Sequence, residues 1–436
     1  MRCIPLLTLA SLPGGFGFEP AAFRGYCGHG PWVAEPQSGC EGCELVQVQV
    51  IHRHGARTLW APLDCWAAAP SGPPEMPQFQ CDLPFSIGTG RSRHRLQKHY
   101  LTAGNCGTGS LLGQAERQFQ QLAEALNRSY GELSWWGEEA TRLYSCDNER
   151  NLGSLDLLSS FLFPRSLQAT VNTMPPKEDP FQLPGRIATS PCDGSVLPTL
   201  KEIRAERPFR DFAARWKSQA NVTWNHMLYD CVLSARCAGV RLPESISEEL
   251  ADEALAWGFR QQLAAVFHSN WTTWAASKAW HAVVEQMRNA SEKGWPRLAI
   301  WSTHDSTMIY MLHALQAWDR IWPGYATAVV LELYASGSEL FVRMVRDGKP
   351  LVLSSCDHKV LCPWPRFLHM VHSTVPPCDM LPPAVDGAER VEQAAPLPMG
   401  SALGVAALGT SAAFLAALLA AARRRGQRQV LAEALL

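Results

Sequence analysis

The chain has 436 residues, 47% of them hydrophobic, with 14 cysteines and a formal net charge of −1. Such a length holds two or three structural units, or one large domain with an insertion. A near-neutral chain with no long basic run before its last few residues excludes a nucleic-acid footprint, so any small anion must be held by a local cluster.

The cysteines, with N-x-S/T sequons at Asn127, Asn221, Asn270 and Asn289, point to the secretory pathway and to a disulfide-bonded glycoprotein. At the N-terminus, residues 1–16 read as a brief signal peptide: Arg2 precedes a short apolar run broken by Pro5. Residues 17–43 form an irregular leader rich in Gly and Pro. Its Cys40-x-x-Cys43 lacks a second pair at metal spacing, so a structural disulfide is expected rather than a zinc or redox half-site. Residues 45–51 alternate apolar and polar side chains, the pattern of a strand, and run straight into Arg53-His54-Gly55-Ala56-Arg57.

Residues 62–110 are an excursion rich in Pro, Gly and Ser. Helical spacing follows over 111–130, a short strand over 141–145, and a helix over 152–163 that ends at Pro164. Pro and Cys break residues 165–245 into short helical stretches such as 200–216, and 246–290 is strongly helical. Residues 297–303 are a compact strand ending at His304-Asp305; a helix is expected over 306–318, then a hairpin of 327–334 with 340–345. The order implies an α/β sheet domain (44–164 with 291–380) carrying a mainly helical insertion (165–290) that would cap the substrate. Both His-bearing motifs fall at strand C-termini, the edge where open α/β sheets bind ligands.

A linker (381–398) leads to an uncharged run, 399–422, long enough to cross about 30 Å of hydrocarbon. Arg423, Arg424, Arg425 and Arg428 follow in a tail, 423–436, that the positive-inside rule places in the cytoplasm. The expected arrangement is a single-pass type I membrane protein with its folded part lumenal or extracellular.

Hydrolysis of a phosphate monoester needs an in-line nucleophile, cations around the equatorial oxygens and an acid for the leaving alkoxide. Arg53-His54-Gly55-Ala56-Arg57 supplies one imidazole between two guanidiniums. Gly55 lets the backbone pass close to an anion, and a helix following the motif would aim its N-terminal amides there. A neutral imidazole can attack phosphorus and form a phosphohistidine that water then cleaves. No metal set is visible: His52-x-His54 is bracketed by arginines that repel a cation, and no cofactor is implied.

In these residues the chain resembles the histidine acid phosphatases. His304-Asp305 after a strand is similar to their second signature, Asp147-Asn148-Glu149-Arg150 to their third, and the Cys356…Cys362-Pro363 pattern resembles the lysophosphatidic acid and 2-phosphoxylose phosphatase branches. The resemblance runs in order over about residues 45–380 and fades in the middle. It implies a three-layer α/β/α phosphoglycerate-mutase-like fold, with His54 as nucleophile and Asp305 as proton donor. Arg53, Arg57, Arg150 and His304 would grip the phosphate of a small sugar, lipid or inositol phosphomonoester. The other readings are a catalytically silent membrane receptor or scaffold on the same fold, and a mutase or bisphosphatase of the wider clan. Three departures are visible: Leu59 stands where the family has Pro, Ala115 where it has Gly in the next helix, and His52 precedes the motif. Cys146 is a candidate free thiol.

Overall fold

A computed structural model of the chain describes residues 25–28, 42–61, 63–67, 74–75, 77, 79, 106–163, 171–174, 179–181, 197–266 and 269–374. The signal-peptide, linker, membrane-span and tail expectations lie outside these residues. Among the described residues no helix is long and apolar enough to cross a membrane.

The sheet strands are β1 (Glu44–Arg53), β4 (Thr141–Ser145), β5 (Val171–Thr173), β6 (Leu298–Thr303), β7 (Ala328–Ser336), β8 (Glu339–Arg346), β9 (Lys349–Pro350) and β10 (Leu361–Pro363); β2 (Trp66–Ala67) and β3 (Pro74–Glu75) make a separate small hairpin. The order across the sheet is β10-β8-β7-β1-β6-β4-β5, with β9 on β8. The half from β1 to β5 is parallel, and the half from β1 to β10 is antiparallel. The helices are α1 (Gln114–Tyr130), α2 (Glu149–Leu162), α3 (Leu197–Ala205), α4 (Arg207–Ala220), α5 (Tyr229–Ala238), α6 (Glu248–Val266), α7 (Ser269–Lys293), α8 (Asp305–Ala314) and α9 (Trp364–Thr374).

Strand alternation sorts the core onto two faces. Val48 and Val50 of β1 and Leu298 and Ile300 of β6 pack with Leu122 and Leu126 of α1 and Leu155 and Leu158 of α2. Ile51, Trp301 and Leu331 face the other way, toward α7 and α8. The polar residues of β1 do not face water as simple alternation suggests. Gln47 and Gln49 are fully buried. Gln47 Nε2 donates to the carbonyls of Gln286 and Pro296 at 3.0 and 2.7 Å, and Gln49 Nε2 to the Val283 carbonyl at 2.9 Å. The strand's polar face is thus spent on tying down α7 and the loop after it.

The expected helix over 200–216 is two helices. Pro208 sits in the first turn of α4, and Glu206, in an extended conformation, caps it. Along α4, Phe209, Phe212, Trp216 and Ala220 recur at helical spacing and are buried, where the first three pack with Trp224 and Trp257. Trp216, Trp224, Trp257 and Trp280 are core residues. The helix expected to reach 318 stops at Ala314, because the backbone turns left-handed at Gln316 (φ 56°).

Candidate active site

The pairing of β1 with β6 sets Arg53 opposite Thr303, so the next residue of each strand, His54 and His304, emerges at one edge. His54 N donates to the Thr303 carbonyl at 3.1 Å, and the two imidazoles meet edge to face with centroids 5.9 Å apart. Ser145 of β4 pairs with Ser302, which brings the first turn of α2, with Arg150, to the same edge. Asn148 caps α2 through Asn151 N, and its side-chain nitrogen lies 3.4 Å from His304 Nε2. Asp305 opens α8. Six sequence-predicted residues, Arg53, His54, Arg57, Arg150, His304 and Asp305, thereby surround one point.

Local bonds set the state of each group. His54 Nδ1 lies 2.9 Å from the Gly55 carbonyl, an acceptor only, so Nδ1 carries the proton and Nε2 keeps a free lone pair. Burial, then Arg53, Arg150, Arg57 and His304, hold the His54 pKa well below the usual value, so the ring is neutral. His304 is lowered for the same reasons, burial first and Arg150 next. Burial pushes the Asp305 carboxyl up, but Arg53 outweighs it, helped by Trp322, Arg57 and the Ser306 amide, and holds the group below the usual range. Asp305 Oδ2 accepts from Arg53 Nη2 at 2.8 Å and Trp322 Nε1 at 2.9 Å.

The arginines divide their work in a way the sequence did not reveal. Arg53 lies between the rings of Tyr26 and Tyr325, its guanidinium carbon 4.5 and 4.4 Å from their centroids. Its Nη2 donates to Tyr26 Oη at 2.5 Å and its Nη1 to the Pro323 carbonyl at 2.7 Å. Arg57 is gripped by Asp230 of α5 through two bonds of 3.0 and 3.2 Å, and Asp230 is fully buried. Burial, and then Arg57, lower the Arg150 pKa to about 10. The Nε groups of Arg53, Arg57 and Arg150 are all buried without a hydrogen-bond partner.

No protein-family model matches the chain. It is 37% identical over 75 residues to lysophosphatidic acid phosphatase type 6 of Mus musculus, covering 17% of this chain and 18% of that one. It is 29% identical over 101 residues to prostatic acid phosphatase of Homo sapiens, covering 22% and 26%. A longer match, 22% identical over 391 residues and covering 78% and 89%, is to counting factor 60 of Dictyostelium discoideum. In fold, the chain is similar to the apo form of Hafnia alvei phytase, with TM-score 0.54 and 11% identity over 79% of this chain and all of that one. These matches support a place for the chain among the histidine acid phosphatases. The two matched acid phosphatases are spanned over only about a fifth to a quarter of their length.

The departures from the histidine acid phosphatase pattern have physical readings. Leu59, in the Pro position, is buried, and its carbonyl accepts from Gly109 N at 2.5 Å, so the 107–110 turn shapes the loop in place of a proline ring. No helix directly follows the motif: α1 begins at Gln114, and the helix N-termini at the site belong to α2 and α8, a correction to the expected amide cradle. Gly55 also answers a packing demand. A Cβ there would lie 2.6 Å from the Ala115 Cβ and 3.0 Å from the Phe119 ring. His52 points away from the site onto Phe119, and burial lowers its pKa to about 4.

Tyr26 and Asp230 were missed because their partners lie 27 and 173 residues away. Cysteines beside each were the available signal. Cys27 bonds Cys237, and Cys65 bonds Cys231, so α5 is stapled to the excursion immediately after Asp230 and, near the helix's C-terminal end, to the leader. Cys356 bonds Cys362, Cys43 is disulfide-bonded, and Cys146 is free and buried. Among the described residues no group of three or more His, Cys, Asp or Glu side chains could hold a metal ion.

Proposed function

We propose that the chain is an acid phosphatase that hydrolyses small phosphate monoesters through a phosphohistidine on His54. One observation carries this reading: the His54 Nδ1 contact to the Gly55 carbonyl, which leaves Nε2 as an unprotonated nucleophile among three arginines. Arg53, Arg57, Arg150 and His304 hold the phosphoryl oxygens, Nε2 attacks phosphorus in line, and Asp305 gives its proton to the departing alkoxide. Water then takes the phosphoryl group from His54, with Asp305 as base.

The charges support Asp305 as the acid. Three guanidiniums against the carboxylates of Asp305 and Asp230 leave one net positive charge, the histidines being neutral. A bound phosphate dianion turns that surplus into a deficit, and one proton on Asp305 restores neutrality. Substrate thus raises the affinity of its own acid for a proton. In the free enzyme Asp305 is held low and His54 stays neutral, so kcat/KM rises as pH falls toward the carboxylate range. Phosphate release from p-nitrophenyl phosphate between pH 4 and 8 tests the reading. His54→Ala is expected to lose about four orders of magnitude, and equal rates in the two proteins would sink it.

The Arg53–Asp305 and Arg57–Asp230 pairs favour a second reading, a site closed on itself that binds without turnover. A wild type that binds phosphate analogues yet releases no phosphate at any pH would select it. We also propose the type I membrane arrangement, supported by the 399–422 run and the arginines after it. Release of the full chain from membranes by alkaline carbonate would refute that arrangement.

A further inference from the structure

Tyr325 sits on the loop before β7, and its ring is fixed on three sides. It lies over the Arg53 guanidinium at 4.4 Å, edge-on to Tyr26 at 5.0 Å, and tilted against His54 at 6.1 Å. Its backbone N donates to the Tyr26 carbonyl at 2.9 Å, and the next residue, Ala326, donates its N–H to the His54 carbonyl at 3.2 Å. The ring therefore cannot leave without disturbing the nucleophile's own strand end.

The hydroxyl at the far end of this well-placed ring is fully buried and has no hydrogen-bond partner. A buried hydroxyl is almost always paired, and one left alone is a cost that calls for a ligand or a reason. Among charged groups, Arg57 influences it most, followed by Arg53, Asp230 and Asp305. The ring's contacts with Arg53 and His54 set it beside the unpartnered Nε of Arg53, with that of Arg57 also near, donors without acceptors next to one imidazole. Burial raises the phenol's pKa, so it keeps its proton. A neutral O–H donor suits an anionic oxygen and adds no charge to a site already rich in cations.

We propose that Tyr325 is a substrate-contacting residue of this site, its hydroxyl donating a hydrogen bond to an oxygen of the phosphoryl group held over His54. The proposal rests on the phosphatase reading for its substrate but not for its anion. Nothing covalent passes through the phenol; it binds and orients.

Tyr325→Phe keeps every ring contact and deletes only the hydroxyl. Tungstate affinity of the full chain, by calorimetric titration, and p-nitrophenyl phosphate kinetics are compared in wild type and variant. Tungstate Kd is expected to weaken about 10- to 100-fold and kcat/KM to fall similarly, with Tm unchanged or raised because a buried unpaired group is gone. Kd and kcat/KM both within twofold of wild type would overturn the proposal, as would a lower Tm with unchanged Kd, which assigns the hydroxyl to structure. A wild type that binds tungstate without hydrolysing the ester defeats the phosphatase reading alone, and the titration still decides Tyr325. A wild type that does neither defeats both.

Discussion

At the sheet edge, His54, His304 and Asp305 are placed by the pairing of two neighbouring strands; over that edge, Tyr26 and Asp230 are delivered by a leader and a helix that share no strand with them. The edge is held by backbone register, which a side-chain change hardly disturbs. The covering shell is held by two disulfides, by the Arg53–Tyr26 hydrogen bond and by the Arg57–Asp230 ion pair, which single substitutions can cut. His54 is thus built into the sheet, while the aim of the arginines around it is borrowed from elsewhere.

Cutting the shell at Asp230 has the largest expected effect on stability. Asp230→Ala strands Arg57 as a buried, uncompensated cation, at a cost of about 3–5 kcal/mol in chemical denaturation. Asp230→Asn, which keeps two side-chain acceptor or donor sites in the same place, should lose less. If both match wild type in stability and in oxyanion affinity, the distinction between edge and shell fails.

The edge has its own weak point in acid. His52 is fully buried with its pKa lowered to about 4, against about 6.5 when unfolded. Between those values the unfolded chain binds a proton that the folded one refuses, so stability falls as pH drops from about 6.5 to 4, by about 3 kcal/mol in all. His52→Leu should flatten that slope in denaturation at pH 7 and pH 4.5 while leaving oxyanion binding alone. An unchanged slope would place the acid sensitivity elsewhere.

The mildest probe removes one staple. Cys27→Ser with Cys237→Ser frees the leader from α5 but leaves Cys65–Cys231, so the loss should be near the low end for a disulfide, about 2 kcal/mol. Because Cys27 adjoins Tyr26, KM is expected to rise with little change in kcat. A KM equal to wild type would mean that Tyr26 is held by its stacking on Arg53 and Tyr325 alone.

What the sequence disclosed follows the same division. β1, β6, α2 and the residues they carry were legible because strand, turn and charged side chains sit within a few positions of one another. The alternation at Gln47 and Gln49 marked a strand but not the destination of their amides, because it records polarity and not the backbone carbonyls of α7 that receive it. Asp230 read as nothing: it lies between Tyr229 and Cys231 in the first turn of α5, and only contact with a distant arginine gives its charge a purpose. The three-residue shortfall in α2 at its start has a smaller cause, the Asn148 cap placed ahead of the first apolar residue.

Tyr26 carries one more consequence, for maturation of the chain. Gly324 leaves room for the backbone of Gly25 and Tyr26, where a Cβ would come within 2.7 Å of the Gly25 carbonyl oxygen. Residues 25–28 are therefore a wall of the candidate site rather than disposable leader. A processing protease that trims the N-terminus can spare that site only by cutting before Gly25; a cut a few residues later would take the Tyr26 face of Arg53 with it.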